Sequence, residues 1–486
     1  MQIYPLPKHQ WPTRFSWLLM LSLGFVLMYS CRKDDALDTS PGFRLAFSND
    51  TIIFDTVFTT IGSVTKQLRV YNRSSKAVMI SSVRLARGES SPYRLNIDGS
   101  PALSASDIEL KAKDSLFIFV RVTIDPNAAD NPLVQSDSVV FDINGQQQNV
   151  KLVAWGQDAN FYANATIKSN FTFTNDKPYV IYGQLVIDSL YTLTVQAGSK
   201  IYFHKDARLL ISRDATLKVN GTLVDPVTFQ GDRLDHDYDT VPGQWGGIWL
   251  TSGSKNNEIN YAEIRNGQVG LQADADGFSG EPDLRLSNSK ISNMTYYGLL
   301  AQGARVQAVN CVFDGCGGYS IALLNGGDYD FRHCTVGNYW SLSNRRTSSL
   351  SVNNYYIDKE GESHVQDLQQ AYFGNCIIYG QMDDEITLDK KSGAAFNATF
   401  ENCLLRTILT PDAPAVFTSC IRNKEPEFKN LETYFHNLEL DTLSPARDVG
   451  SLQVISGAYR DISLDIKGVS RILDAAPDMG AYERVE

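Results

Sequence analysis

Two patterns of apolar and polar positions divide the chain. Between residues 42 and 157, apolar and polar residues alternate in short runs that are separated by turn residues. Alternation of this kind is typical of strands that bury one face, and Asn144-Gly145 is a typical hairpin turn. Seven short runs in this segment predict a β-sandwich. The runs are residues 45–47, 51–58, 67–71, 78–80, 116–122, 138–143 and 150–156.

From residue 160 onward the pattern changes to three short strands per repeat, with no helical period and with glycines at the expected bends. Further along, a short motif recurs in which an Asn or a related residue precedes a small residue and then a strand. Steps of 22 and 23 residues correspond to one coil of a solenoid, and the step of 42 to two coils or to one coil with an insertion. The small residues are Ser289, Cys311, Cys334, Cys376, Cys403 and Cys420.

This repeat accounts for most of the cysteines. Five of the six cysteines beyond Cys31 occupy the same place in it, so we expect them to stack inside the solenoid as buried free thiols. Disulfide bonds are the alternative in an exported protein, although side chains stacked in parallel are poorly oriented for that bond. Cys316 lies outside the stack, and the asparagines beside the cysteines are expected to form a hydrogen-bonded ladder.

Several motifs resemble those of pectin-lyase-like parallel β-helix proteins. Residues 244–250 (QWGGIWL) are similar to a strand element of that family, and residues 443–450 (LSPARDVG) and 476–483 (APDMGAYE) to its C-terminal end. The first segment resembles the Ig-like domains that precede β-helices in Bacteroidota lipoproteins, through residues 54–58 (FDTVF) and 156–159 (GQDA). The resemblance implies an all-β chain, with an N-terminal Ig-like β-sandwich followed by a right-handed single-stranded parallel β-helix.

The N-terminus resembles a bacterial lipoprotein signal peptide. Lys8 and Arg14 precede the apolar run 15–29, which is shorter than the ~20 residues that a membrane-spanning helix needs. The run ends in Met28-Tyr29-Ser30-Cys31, where Tyr29 departs from the usual small residue. The resemblance implies cleavage before Cys31 and attachment of lipid to its thiol. The alternative is an ordinary signal peptide or signal anchor with an incidental cysteine.

The residues after Cys31 indicate the location of the protein in the cell. Lys33, Asp34 and Asp35 resemble the lipoprotein export signal of Bacteroidota, which implies a lipid-anchored protein on the outer face of the outer membrane. A charged flexible tether would explain the same residues.

These observations divide the chain into four parts. We assign residues 1–30 to the signal peptide, 31–41 to a flexible tether, 42–159 to the Ig-like sandwich and 160–486 to the β-helix. The C-terminal motifs are expected to cap the open end of the solenoid, with a buried pair of Asp465 and Arg471 inside the cap.

The composition of the chain limits the classes of partner that it can bind. The chain has 486 residues and a formal net charge of −11, and without residues 1–30 it keeps 42 basic against 55 acidic residues. Such an acidic chain is not expected to bind nucleic acid, because neutralising phosphates needs clustered Lys and Arg. Since no second long apolar run follows, attachment to the membrane would be by lipid alone.

The sequence offers few candidate catalytic or metal-binding residues. Three acidic clusters lie in polar segments, at residues 235–239, 274–277 and 383–391, and each is also typical of a solvated loop. The second resembles a fragment of a calcium loop but lacks the remaining ligands, so Ca²⁺ is unsupported and we expect no cofactor or metal. None of the clusters combines a base, a carboxylate pair and an aromatic platform, so no catalytic residue is assigned.

An aromatic insertion at residues 338–371 is the candidate binding segment. Trp340, Tyr355 and Tyr356 lie there among polar residues, and exposed aromatic rings suit contacts with glycan or protein. The alternative is a loop that packs its own aromatic residues onto the solenoid.

The sequence therefore favours a non-catalytic envelope protein whose β-helix binds glycan or a surface protein. Because a fold hosts many functions, a polysaccharide lyase or glycoside hydrolase is the alternative. A groove lined by Lys or Arg with carboxylates would favour the enzyme, and an aromatic, Asn-rich face would favour the binder. A purely structural envelope component would show neither.

Overall fold

The computed structural model describes residues 37–58, 62–124, 133–275, 280–410, 413–432, 436–473 and 475–484. Among these residues the chain divides into two units, of which the first ends at Gly156 and the second begins at Gln157. In the described ranges, no helix has the length and apolar character needed to cross a membrane.

The first unit consists of two five-stranded sheets. In order across the sheets, the strands are β1-β3-β8-β5-β6 and β2-β10-β9-β4-β7. A single 3-10 turn, Gly88–Ser90, lies between β4 and β5. The strands are β1 (Ala46–Phe47), β2 (Thr51–Phe58), β3 (Lys66–Tyr71), β4 (Val78–Leu85), β5 (Tyr93–Ile97), β6 (Ser100–Ala102), β7 (Ser104–Leu110), β8 (Ser115–Val122), β9 (Leu133–Ile143) and β10 (Gln146–Gln157).

Alternation along the strands builds the core of this unit. On β8, Leu116, Ile118 and Val120 are buried, whereas Phe119 and Arg121 between and beyond them are exposed. Buried residues of both sheets form one apolar cluster, so the two sheets share a core.

The second unit is a parallel coil with three faces. Each coil contributes one strand to each face, and strands of successive coils pair in parallel. We name the faces by what lies outside them: the tail-side sheet, the open sheet and the charged sheet. Two long strands, Asn160–Ile167 and Tyr179–Ile187, turn the first corner and belong to both the tail-side and the open sheet.

Apart from two hairpins, the remaining described strands fall into three stacks. The tail-side sheet contains Lys200–Phe203, Val227–Gly231, Ala262–Arg265, Lys290–Met294, Val312–Cys316, Thr335–Asn338, Ile377–Gly380, Leu404–Leu405 and Ile421–Arg422. The open sheet contains Arg208–Ile211, Gly247–Leu250, Val269–Asp274, Tyr297–Gln302, Tyr319–Leu324, Leu350–Asn353 and Ile386–Asp389. The charged sheet contains Phe171–Phe173, Thr192–Gln196, Thr216–Asn220, Asn257–Asn260, Leu284–Ser287, Arg305–Val309, Gly327–Arg332, Leu368–Gly374, Phe396–Glu401 and Val416–Thr418.

Identical positions in successive coils stack inside the solenoid. The rings of Phe331, Phe373, Phe400 and Phe417 form one continuous stack, with centroids 5.0–5.2 Å apart. This spacing matches the distance between neighbouring strands, so each ring packs on its equivalent in the next coil. The parallel pairing confirms the predicted parallel β-helix.

The cysteines stack as predicted. Register pairs Thr335 with Ile377 and Ile377 with Leu404, so the cysteines that precede these residues lie on adjacent coils. The step of 42 residues is therefore one coil with an insertion. All six described cysteines are free, and five are buried. Burial is the largest cause that raises the pKa of the thiols of Cys376 and Cys403.

The asparagine ladder is also present. Asn310 donates to Asn288 Oδ1 at 3.1 Å, and Asn288 donates to Asn260 Oδ1 at 2.9 Å. At the same corner, His333 replaces Asn, and its Nε2 lies 2.8 Å from Asn375 Nδ2. These corner residues have left-handed backbone, which Asn tolerates better than most residues. The positive φ values are 48° at Asn288, 53° at Asn310, 49° at His333, 50° at Asn375 and 49° at Asn402.

The tail, by which we mean residues 427–432, 436–473 and 475–484, lies along the tail-side sheet and the asparagine corner, whereas the sequence predicted a cap over the open end. Gly480 donates to the carbonyl of Asn375 at 2.7 Å, and a Cβ on Gly337 would lie only 2.6 Å from Leu438 Cδ1. The physical reason is that outward residues of this sheet, such as Ile377 and Leu404, are apolar and pack with the tail. The tail holds a hairpin of Phe428–Asn430 with Asn437–Leu440, and the helix α1 (Leu452–Ser456).

The ion pair inside the tail also differs from the predicted one. Arg471 Nη1 lies 3.0 Å from Glu483 Oε2, and both side chains are fully buried. Asp465 instead accepts the backbone N–H groups of Lys467, Val469 and Glu483. Burial lowers the pKa of Arg471, whereas Glu483 and Asp465 act to raise it.

Candidate functional site

A vertical column of outward side chains runs along the open sheet. Inward residues of each strand fill the solenoid, so the alternate residues face out. Register places Leu210 beside Trp249, Trp249 beside Gln272, and Gln272 beside Leu300, one on each successive coil. Each of these side chains is partly exposed. We call the outer column Leu210, Trp249, Gln272, Leu300, Ala322, Ser351 and Thr387.

A carboxylate fixes the orientation of the indole in this column. Trp249 Nε1 donates to Asp274 Oδ2 at 2.7 Å. Gln272 and Gln302 donate to the same carboxylate, at 2.9 and 2.8 Å. Because three donors converge on Asp274, the ring of Trp249 and both amides are held in place before any ligand arrives.

A pair of tyrosines lies at the edge of the same sheet. Tyr297 and Tyr319 begin adjacent strands, pair in register and stack with ring centroids 6.1 Å apart and planes 12° apart. Both side chains are partly exposed. Burial, with a smaller contribution from Tyr319, raises the pKa of Tyr297, so its hydroxyl stays protonated at neutral pH. The open sheet therefore offers aromatic rings, amides and one carboxylate on a single face.

The aromatic insertion meets the open sheet at one end. Tyr355 and Tyr356 lie on a hairpin of Tyr355–Ile357 with Ser363–Val365. The Tyr355 hydroxyl lies 2.5 Å from Asp389 Oδ2, at the end of the open-sheet strand Ile386–Asp389. Tyr356 is 44% exposed and stacks on His364. Trp340 lies apart from them: it is 8% exposed and donates to Ser343 Oγ. Binding by these three residues stays a prediction.

A buried ion pair holds the first part of the insertion. Arg345 Nη1 donates to Glu385 Oε2 at 2.7 Å, and both side chains are almost completely buried. The backbone N–H groups of Ser349 and Met382 also donate to Glu385. Glu385 is thus a structural anchor between two coils, although the sequence placed it in an acidic surface cluster.

The other acidic residues of the predicted clusters are mostly engaged. Asp235 pairs with Arg233 at 2.9 Å. Asp383 is 91% exposed and pairs with Arg406, and Asp384 accepts from the Thr407 hydroxyl. Asp274 belongs to the open sheet. In the described ranges, no group of three or more His, Cys, Asp or Glu residues could hold a metal ion.

Several of the predicted features lie outside the described residues. These are the signal peptide, Cys31, Lys33, Asp34 and Asp35, together with Asp276 and Gly277 of the second acidic cluster.

A titratable cluster that the sequence reasoning missed lies at the corner between the tail-side and open sheets. Tyr182, His204 and Asp232 follow strand positions that pair in register, so they stack on three successive coils. His204 Nδ1 lies 2.8 Å from Asp232 Oδ2, and the rings of Tyr182 and His204 stack at 4.5 Å. Burial raises the pKa of Asp232, and burial together with Asp232 raises the pKa of Tyr182 to about 12.

The Trp249–Asp274 contact and the Tyr182–His204–Asp232 cluster could both have been found from the regular spacing of positions in successive coils. Trp249 and Gln272 occupy equivalent outward positions of neighbouring coils, and Asp274 is the next outward residue after Gln272, but the repeat recognised in the sequence follows the Asn and Cys positions at a different corner. His204 and Asp232 are 28 residues apart in sequence, so their contact becomes visible only once the coils are stacked.

Two family models match the second unit. Residues 165–308 match one described as a pectate-lyase-like beta helix domain, and residues 275–411 match one described as a right handed beta helix region. Together with the parallel pairing, these matches decide the fold. The second unit is a right-handed β-helix. No curated protein matches the chain.

Solved structures add only distant likenesses to the β-helix chain. The catalytic unit of a GH87 alpha-1,3-glucanase from Streptomyces thermodiastaticus is 12% identical, with a TM-score of 0.25, covering 74% of this chain and 89% of that one. A PapD-like domain of human CEP192 is 11% identical, with a TM-score of 0.17, covering 26% of this chain and 96% of that one. A Porphyromonas gingivalis protein of unknown function is 12% identical, with a TM-score of 0.17, covering 26% of this chain and 60% of that one. At such identities and TM-scores, these likenesses say nothing about activity.

Proposed function

We propose that this protein is a lipid-anchored protein of the cell envelope, displayed on the outer membrane, whose β-helix binds glycan through the open sheet. The observation that carries the glycan part is the outer column, in which Asp274 holds the Trp249 indole and two amides in fixed positions. The lipoprotein-like signal before Cys31 supports the anchored location, and the first unit serves as an Ig-like spacer.

The chemistry of the column suits a sugar chain. An indole or phenol ring offers an apolar face on which the C–H face of a sugar packs, and the amides beside it exchange hydrogen bonds with hydroxyls. Because the partly exposed side chains from Leu210 to Leu300 stack on four successive coils, successive sugars of an extended glycan would meet successive positions there, whereas Ala322 and Ser351 further along the column are buried. Side chains that are already oriented lose little conformational entropy on binding.

A binding experiment with a matched control tests this proposal. We would measure affinity of the full chain carrying Cys31→Ser for a panel of neutral and acidic polysaccharides, in wild-type sequence and with Trp249→Ala. Removal of one stacking ring should weaken binding by roughly tenfold. Phe171→Ala is the control, because Phe171 is 37% exposed and lies on the charged sheet.

The outcomes separate the alternatives. Loss of affinity with Trp249→Ala and its retention with Phe171→Ala support the open sheet. Equal affinity of both variants and the wild type for the neutral polysaccharides contradicts it. Trp249→Phe keeps a ring but loses the hydrogen bond to Asp274, so an intermediate affinity would show that the oriented indole matters.

The second candidate function is a polysaccharide lyase or glycoside hydrolase, and the corner cluster is the observation that favours it. A carboxylate that orients an imidazole is a common arrangement for proton transfer near neutral pH. The test is the appearance of new reducing ends or of unsaturated sugars during incubation with the same panel. If turnover occurs, His204→Ala should abolish it, whereas binding without turnover supports the non-catalytic function.

A further inference from the structure

One outer face of the first unit carries arginines and aromatic rings. On the sheet β1-β3-β8-β5-β6, Arg94 of β5 pairs in register with Arg121 of β8. In the same sheet Arg69 pairs with Phe117 and lies over its ring at 4.7 Å. Phe119 is 38% exposed beside them. This surface, the arginine face, is defined by Arg69, Arg94, Phe117, Phe119 and Arg121.

The arginines of this face have no carboxylate partner among the described residues. Arg69 donates to the Ser115 hydroxyl, and Arg94 donates to the carbonyls of Ser91 and Tyr93. In the second unit the arginines mostly pair with acids. Those ion pairs are Arg233–Asp235, Arg285–Glu281, Arg305–Asp328, Arg332–Asp330, Arg345–Glu385, Arg406–Asp383, Arg447–Asp448 and Arg471–Glu483.

The contrast matters because the chain is acidic overall, with a net charge of −11. An acidic protein has ample carboxylates to neutralise its arginines, so a cluster without them concentrates positive potential at one place. Such a cluster attracts anionic ligands, and each guanidinium can bind a carboxylate through two parallel hydrogen bonds.

The arginine face also has room for a ligand. A hollow of about 610 Å³ is lined by Thr65, Arg94, Asn96, Phe119 and Arg121 among others. A second hollow, of about 620 Å³, shares Arg94 and Arg121 with the first. Among the described residues that line the two hollows, Glu89 is the one acid.

Asn96 adds an uncharged hydrogen-bonding group beside the arginines, and binding of an anion by charge alone would not need such a group. Asn96 lines the first hollow, and its Oδ1 atom is buried and has no hydrogen-bond partner. A buried acceptor without a partner is costly, so the amide would gain by turning its oxygen toward a ligand hydroxyl group in the hollow. Phe119 pairs in register with Asn96, so an aromatic ring stands beside this acceptor.

We propose that the arginine face binds an acidic glycan, with Arg94 and Arg121 on sugar carboxylates, Phe119 against a ring face and Asn96 Oδ1 accepting from a hydroxyl. This site is separate from the open sheet and differs in chemistry, since it selects charge. The positive charge of the surface favours an anionic ligand. The combination of an aromatic ring with an acceptor for a hydroxyl group favours an acidic glycan over other anions.

The test compares polygalacturonate with its fully methyl-esterified form, which has the same backbone without the charge. Full-length protein with Cys31→Ser should bind the acid form and not the ester. Arg94→Gln with Arg121→Gln should weaken binding by roughly tenfold for each arginine and flatten its salt dependence. Arg84→Gln is the matched control, because Arg84 lies on the other sheet and is 3.8 Å from Asp142.

Several results would overturn the proposal. These are equal binding of the ester, unchanged affinity of the double variant, an equal loss with Arg84→Gln, or no binding to any of polygalacturonate, alginate and heparin. Polyglutamate bound as tightly as polygalacturonate would remove the glycan part and leave a general anion site. A thermal melt of each variant checks folding, and Phe119→Ala, which keeps all charges, should weaken binding to polygalacturonate but not to polyglutamate.

The open-sheet proposal can fail independently. Trp249→Ala should leave binding of polygalacturonate at the arginine face unchanged, and the double arginine variant should leave binding of neutral glycans unchanged.

Discussion

At the scale of single residues, the asparagine corner combines a backbone requirement with a hydrogen-bond requirement. A left-handed backbone costs most residues roughly 1–2 kcal/mol, and Asn tolerates it because its short side chain bonds locally. His333 is the exception in this ladder, with φ of 49° and no exposed surface. Its Nε2 accepts from Asn375, so the buried ring is neutral.

His333 should make stability depend on pH. Burial, followed by the charge of Arg471, holds the pKa of His333 well below its usual 6.5. The unfolded chain therefore binds a proton below pH ~6.5 that the folded chain does not, and stability falls as pH falls. We expect His333→Asn to remove this loss. The free energy of unfolding of the variant, relative to that of the wild type, should therefore increase by about 1.4 kcal/mol for each pH unit below pH ~6.5. Urea unfolding at a series of pH values measures it.

A control separates this effect from general acid sensitivity. The His236 side chain is 95% exposed, and His236→Asn should leave the pH profile of unfolding as in wild type. A His333→Asn profile parallel to that of wild type would contradict a buried neutral imidazole.

Some of these residues were predictable and some were not. The cysteine ladder followed from spacing alone, because equal steps in a solenoid place equal positions on top of one another. The neutral histidine in the asparagine ladder was not predictable, since its low pKa depends first on burial and then on the charge of Arg471, 138 positions later in the chain. The Trp249–Asp274 contact required knowledge of which residues face outward.

At the scale of elements, the insertion after the tail-side strand Thr335–Asn338 shows how a solenoid tolerates extra chain. The coil stays in register, because Thr335 still pairs with Ile377 across the inserted residues. Arg345 and Glu385 fasten the beginning of the insertion to the next coil through a buried pair. A hairpin at Tyr355–Ile357 and Ser363–Val365 forms the rest.

Breaking that pair should be expensive. Glu385→Ala leaves the buried Arg345 guanidinium without its carboxylate, and removal of one partner of a buried pair costs about 3–5 kcal/mol. Asp383→Ala is the control, because Asp383 lies two residues before Glu385 in the sequence. Its pair with Arg406 is exposed, so a loss of at most about 1 kcal/mol is expected. Chemical denaturation of both variants gives the comparison.

A double variant tests the reason for the loss. If the cost arises from the unpaired charge, Arg345→Met combined with Glu385→Leu should be more stable than Glu385→Ala alone. Equal destabilisation by the single and double variants would show instead that the hydrogen bonds from Ser349 and Met382 dominate.

The elements themselves were largely readable from the sequence, because period and turn residues are local signals. The position of the tail was not. Its motifs were recognised, but its docking surface is formed by residues such as Ile377 and Leu404, whose outward direction depends on the coil. Two adjacent apolar residues, as in Ile377-Ile378, are the sequence sign that both faces of a strand are covered.

At the scale of the whole molecule, the proposed anchoring depends on one residue. We expect Cys31→Ser to move the protein from the membrane fraction to the soluble fraction of cells, because it removes the thiol that would carry lipid. Fractionation with immunodetection measures the distribution. Retention in the membrane fraction would favour an uncleaved signal anchor.

Surface display requires a separate control. Replacement of Lys33, Asp34 and Asp35 by Ala should leave the protein in the membrane fraction and make it resistant to protease added to intact cells. Unchanged protease sensitivity would assign these residues to a simple tether.

The course of the tail has a consequence for when the molecule can finish folding. Arg460 bonds to Asn260, 200 positions earlier, and Ala481 bonds to Thr335, 146 positions earlier. Contacts so distant in sequence form slowly, and here they cannot form before the tail itself has been synthesised. Until then the apolar outer residues of the tail-side sheet have no cover. If the protein is exported as proposed, this late closure would leave the flank of the solenoid open while the polypeptide crosses the membrane.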